Sequence, residues 1–138
     1  MDAKSDQVAG LISTRSAFSV KETLDRLVRE VEAKGLTVFC RIDHAANATD
    51  AGLQLRPTEV LIFGNAKGGT PLMVAAQSIG IDLPLKAVAW QDAGGQTWLA
   101  YNDPGWLTAR HGIEAQGAGP AAAMRSLLTS VTQGAAMP

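Results

Sequence analysis

Val60-Leu61-Ile62-Phe63 is a run of four apolar residues followed at once by Gly64-Asn65-Ala66-Lys67-Gly68-Gly69 and then Thr70-Pro71. A run this short, apolar on both alternating faces, predicts a strand in the middle of a sheet, covered from both sides. The glycines predict a turn, and Thr70-Pro71 predicts an N-cap and first helical position, because proline lacks only an amide that would be unpaired there anyway. A helix is expected over 71–79, with Leu72, Ala75, Ala76 and Ile79 inward and Gly80 as its stop.

Upstream, Ser19 and Glu22 have capping-box spacing, and Val20, Leu24, Leu27, Val28 and Val31 make one stripe on a 3.6-residue period. They predict an amphipathic helix lying on a sheet and ended by Gly35. Leu11 to Ala17 and Leu36 to Asp43 read as strands. In the second, Leu36, Val38, Cys40 and Ile42 share one face, so Cys40 is expected to be buried among aliphatics and unreactive. His44 to Leu55 allows a short helix. Leu83–Asp92 and Gln96–Asn102 form a hairpin around Ala93-Gly94-Gly95, whose register decides whether Trp90 and Trp98 share a face. Trp106 to His111 reads as a helical turn closed by Gly112, 115–120 as a linker, and Met124, Leu127, Leu128 and Val131 as the apolar side of a last helix. Strands and helices in this order, with a true hairpin, predict an α+β fold.

Composition bears on function by exclusion. The 138 residues suit one domain, and 46% apolar with 18% charged residues is a globular balance. Twelve basic against thirteen acidic residues leave a net charge of −1, which argues against nucleic acid. No window approaches the ~20 apolar residues of a membrane span. The polar start, read as loose over 1–9, has no signal-peptide core, and the single cysteine forms no internal bridge, so the expected setting is cytoplasmic, with no membrane partner.

Candidate chemistry is sparse. Gly64, four residues, Gly69 and Thr70 fit a phosphate-binding loop except that its lysine is missing; Lys67 comes too early and Pro71 removes an amide. A milder reading keeps the amides of Gly68, Gly69 and Thr70 as an anion site at a helix start. His44 and His111 are the only histidines. With Asp43 they offer an acid-base or metal-assisted set if the fold unites them. Asp82, Lys86 and Asp92 frame one strand, and Arg110-His111 offers two donors. Trp90, Trp98, Tyr101 and Trp106 lie within seventeen residues and suit a pocket or a subunit contact.

Successive blocks of the chain resemble the domain-of-unknown-function 302 family: Arg41-Ile42-Asp43-His44-Ala45-Ala46, Leu55-Arg56-Pro57-Thr58-Glu59, Phe63-Gly64-Asn65, Gly69-Thr70-Pro71-Leu72-Met73, Gly80-Ile81-Asp82-Leu83-Pro84-Leu85-Lys86, Trp90-Gln91-Asp92, Tyr101-Asn102-Asp103-Pro104 and Arg110-His111-Gly112. The likeness covers roughly residues 10–113; 114–138 is expected to be a linker and a helix packing on the same domain. Ala66 stands where the family usually has proline. The resemblance implies an antiparallel sheet gripping a long helix, similar to the TATA-box-binding-protein fold, often as a homodimer. It implies no particular reaction and no cofactor. The reading it leaves is a non-catalytic, homodimeric module for a small anionic ligand. Asn65, Lys67, Thr70, Lys86, Arg110 and His111 are its expected polar contacts, with Trp90 and Trp106 as walls and no metal. The alternatives are an enzyme or metal protein using His44 and His111, and a structural interaction module.

Overall fold

In the computed structural model, which describes residues 8–138, five antiparallel strands form one sheet in the order β1-β5-β4-β3-β2. They are β1 (Leu11–Ser16), β2 (Thr37–Asp43), β3 (Thr58–Gly64), β4 (Leu85–Gln91) and β5 (Thr97–Asn102). The helices are α1 (Val20–Ala33), α2 (His44–Asp50), α3 (Ala66–Ala75), α4 (Pro104–Arg110) and α5 (Ala118–Ala136), with a 3-10 turn at Gln77–Ile81. The architecture is α+β, as expected. The first seven of the leading residues read as loose lie outside the described residues.

α1 forms where its stripe requires. Ser19 Oγ accepts the Glu22 amide at 3.1 Å, and Val20, Leu24, Leu27 and Val31 are buried while Lys21, Glu22, Arg29 and Glu32 line the outer side. Gly35 follows at φ +76°, the left-handed conformation that favours glycine. α1 packs on β2 to β5 and against α5, which also covers β1 and β5. The core therefore lies on one side of the sheet, where Leu61, Phe63, Ala87, Ala89 and Leu99 meet Leu24, Leu27, Leu128 and Val131. Glycine is also required at Gly10 (φ +74°), where a Cβ would collide with the indole of Trp106.

On the other face, Val60, Ile62, Val88 and Trp90 are only half-buried, and β3 is not covered from both sides. The expectation failed because a four-residue apolar run is equally compatible with a central strand that has one bare face. Trp90 and Trp98 stand directly opposite each other there. Their register is set by Asp92: Oδ1 accepts the amides of Gly94 (3.0 Å) and Gln96 (2.9 Å), and Oδ2 accepts the Trp98 indole N–H at 2.9 Å. The indole, then those amides, hold the Asp92 carboxyl below the ordinary aspartate pKa against the opposing effect of burial.

Two local expectations are corrected. Pairing shifts between Val38 and Cys40, so Phe39 is a bulge and the alternation of β2 reverses. Val38 packs on the core, but Cys40 is exposed rather than buried, and Arg41 takes the helix side. There its Nη1 meets Asp25 at 2.7 Å and its Nε meets the buried Glu59 at 2.9 Å. The second correction concerns α3, which starts at Ala66 rather than Pro71 and contains Pro71. Asn65 Oδ1 accepts the Gly68 amide at 2.8 Å and so caps the helix five residues earlier than Thr70 would. The chain becomes extended at Ala76, leaving Ala75 exposed and Ala76 half-buried, and Gln77–Ile81 is a separate turn.

Candidate functional site

α3 leaves the end of β3 and runs past the start of β4 toward α5, and the space between these elements is a cavity of about 590 Å³. Asn65, Lys67, Gly68, Gly69 and Thr70 line it on one side, Leu83, Pro84 and Leu85 on another, and Met124 and Leu127 of α5 on a third. Leu36, just before β2, and the bulged Phe39 complete the lining. Short residues at Gly68 and Gly69 keep it open: a Cβ at Gly69 would touch Leu83 and one at Gly68 would crowd the capping Asn65. The lining is mainly apolar. Asn65 Oδ1 is occupied by the cap, so Lys67 supplies the charge and Thr70 a hydroxyl at the rim. The site suits a small molecule with an apolar body and one anionic group.

The residues singled out from sequence divide into three groups. Asn65, Lys67 and Thr70 line the cavity. Lys86, Arg110 and His111 meet elsewhere, around Asp82. Arg110 Nη1 donates to both Asp82 oxygens at 2.8 Å, His111 Nε2 lies 2.6 Å from Oδ2, and Lys86 Nζ donates to the carbonyls of Asp82 (3.1 Å) and Pro84 (2.9 Å). A guanidinium, an ammonium and an imidazole thus gather around one internal carboxylate. Burial, opposed by attraction to Asp82, lowers the pKa of Lys86. Ser78, whose Oγ is 2.8 Å from His111 Nδ1, completes the cluster and was not foreseen, since nothing local marks a serine in a 3-10 turn as facing a histidine 33 residues on.

Trp90 and Trp106 form the third group and belong to neither place. Trp90 stands on the bare sheet face, and Trp106 of α4 covers Gly10. His44 opens α2 beyond Asp43, which pairs with Glu59 near the start of β3, whereas Asp82 precedes the β4 end paired with Phe63. The two histidines therefore sit at opposite ends of the sheet. Among the described residues no group of three or more His, Cys, Asp or Glu side chains is arranged to hold a metal.

Fold and cavity together define a one-sided α+β domain with an apolar pocket at one end of its sheet. The chain belongs to the family described as Domain of unknown function DUF302, whose model matches residues 12–132 and so takes in most of α5. The crystal structure of an uncharacterized conserved DUF302 protein from Bacillus stearothermophilus superposes with a TM-score of 0.82 at 19% identity, covering 93% of this chain and 99% of that one. Over 105 residues, 76% of this chain, it is 48% identical to the fluoride-specific ion channel FluC 1 of Brucella suis biovar 1 and to FluC 2 of Brucella melitensis biotype 1. The chain spans about two fifths of the length of these curated relatives, 41% and 39%. Among the described residues no helix is long and apolar enough to cross a membrane.

Proposed function

We propose that the domain is a binding module for a small amphiphilic anion. Its apolar part would fill the cavity between α3 and α5, and its charge would meet Lys67. The observation that carries this is the apolar cavity touching Gly68, Gly69 and Thr70, with one lysine at its rim. The lining offers neither a histidine nor a carboxylate, which favours retention over reaction. Anilinonaphthalene sulfonate, a fused apolar body with one sulfonate, is a suitable probe, and its fluorescence should rise on binding. Ala123→Trp, placed at an exposed lining position, should abolish the signal. Lys67→Ala should weaken binding about fivefold, equivalent to ~1 kcal/mol for an exposed ion pair. Equal binding by all three proteins would overturn the proposal.

The proposal includes a pair of copies meeting through the bare sheet face. Val60, Ile62, Val88 and Trp90 form a half-buried apolar row on the sheet face turned away from the core, and aromatic residues are enriched at such contacts. Sedimentation velocity should give a dimer for the natural chain and a monomer for Trp90→Glu; a monomer in both cases would refute this contact.

A further inference from the structure

Ser78, His111 and Asp82 form one hydrogen-bonded chain, separate from the cavity lining. Ser78 Oγ is 2.8 Å from His111 Nδ1, and His111 Nε2 is 2.6 Å from Asp82 Oδ2. Proton placement follows from the partners. The Asp82 carboxylate, paired with Arg110 through both oxygens, is an acceptor, so the hydrogen belongs on Nε2. The neutral ring then presents the lone pair of Nδ1 to the Ser78 hydroxyl. The ring and the carboxylate are sheltered, with side chains 8% and 14% exposed, while Ser78 is at the surface. A sheltered base oriented by a carboxylate, with its serine accessible, is the arrangement that activates a hydroxyl for attack.

An independent feature points to the class of substrate. Val74 and Ile81, four residues before and three after Ser78, are 81% and 75% exposed, more than any other large apolar side chain among the described residues. α3 and the 3-10 turn that carry them pack together. Apolar side chains left in water on the two packed elements around the serine suit an apolar acyl chain.

We propose that Ser78 is a nucleophile for esters with an apolar acyl group, with His111 as general base and Asp82 as a positioning residue. Ser78 Oγ bonds to the carbonyl carbon as its proton passes to Nδ1. The bond from that carbon to the alcohol oxygen breaks, and the alcohol leaves with the proton from Nδ1. Water then attacks the acyl-serine, giving its proton to Nδ1; the acid is released and Ser78 recovers its hydrogen.

The test uses the full chain and p-nitrophenyl butyrate, following nitrophenolate release and mapping butyrylated peptides by mass spectrometry. The butyryl group should appear on the peptide containing Ser78 and be lost in Ser78→Ala, an exposed position whose truncation leaves the core untouched. His111→Gln keeps a donor for Asp82 but no base, and should slow acylation about 100-fold. Its thermal unfolding, measured in parallel, separates this loss from a folding defect. Absence of the adduct from the natural protein, or equal butyrylation of Ser78→Ala at other residues, would overturn the assignment.

Discussion

Phe63→Ala should cost about 4 kcal/mol of folding stability, the largest loss expected from a single side chain here. Phe63 is wholly buried in the core, and its neighbours on the sheet are Val38 and Leu85, with α1 packed on its strand. Truncation removes the transfer energy of the ring and leaves a void that the neighbouring strands and α1, each fixed by other contacts, cannot collapse to fill. Against a total of roughly 5–15 kcal/mol for a domain, this is about a quarter or more of the whole. In urea, the unfolding midpoint should fall by about 2 M at a slope of ~2 kcal/mol per M. The residue immediately precedes Gly64 and α3, so probe binding in the cavity should weaken as well. A midpoint shift under ~0.5 M would mean that the core repacks around the gap.

The second large effect is expected at Arg41→Leu. The Arg41 guanidinium joins Asp25 of α1 to the buried Glu59 of β3, and Nη2 also donates to the Lys21 carbonyl at 3.3 Å. Leucine would leave Glu59 buried opposite an aliphatic side chain. Losing one partner of a fully buried pair costs ~3–5 kcal/mol. Arg41 and Asp25 are about a third exposed, so solvent screening reduces the expectation to about 2 kcal/mol. The effect is pH dependent with a definite sign. The hydrogen bond from Arg41 holds the Asp25 pKa below its ordinary value, outweighing the opposing effect of burial. The Asp25 contribution is thus present above the unfolded value near ~4 and lost as pH falls through the lower folded value. Urea midpoints of the natural chain and the Arg41→Leu variant should differ at pH 7 and converge toward pH 3; a gap unchanged with pH would show that the ion pair is not its source.

Much of the fold was legible because its signals are local. Ser19, the Val20-to-Val31 stripe and Gly35 each act within a few residues, and α1 forms where they place it. The hairpin was legible too, but its register depended on the Asp92 carboxylate reaching two amides and an indole, a choice made in three dimensions. β2 went wrong at Phe39, where the partner strand requires an extra residue that no pattern of alternation announces. At the candidate site, the glycines were legible as a feature of the loop, but not their arrangement. Asn65 and Thr70 are both good caps, and Asn65 prevailed, turning the expected turn into the first turns of α3. Lys86, Arg110 and His111 were expected as polar contacts beside Asn65, Lys67 and Thr70, whereas they gather around Asp82 instead. Their common partner, Asp82, belongs to a contact that only the fold creates.

The bulge at Phe39 also governs how the sheet ends. β2 is an edge strand, and an uninterrupted edge offers a row of open amides and carbonyls on which a foreign strand can grow. One residue out of step halfway along breaks that row into two short pieces of mismatched phase. Lateral growth of the sheet into fibrous assemblies is thereby discouraged at this border, by the same irregularity that brings Arg41 inward to Glu59.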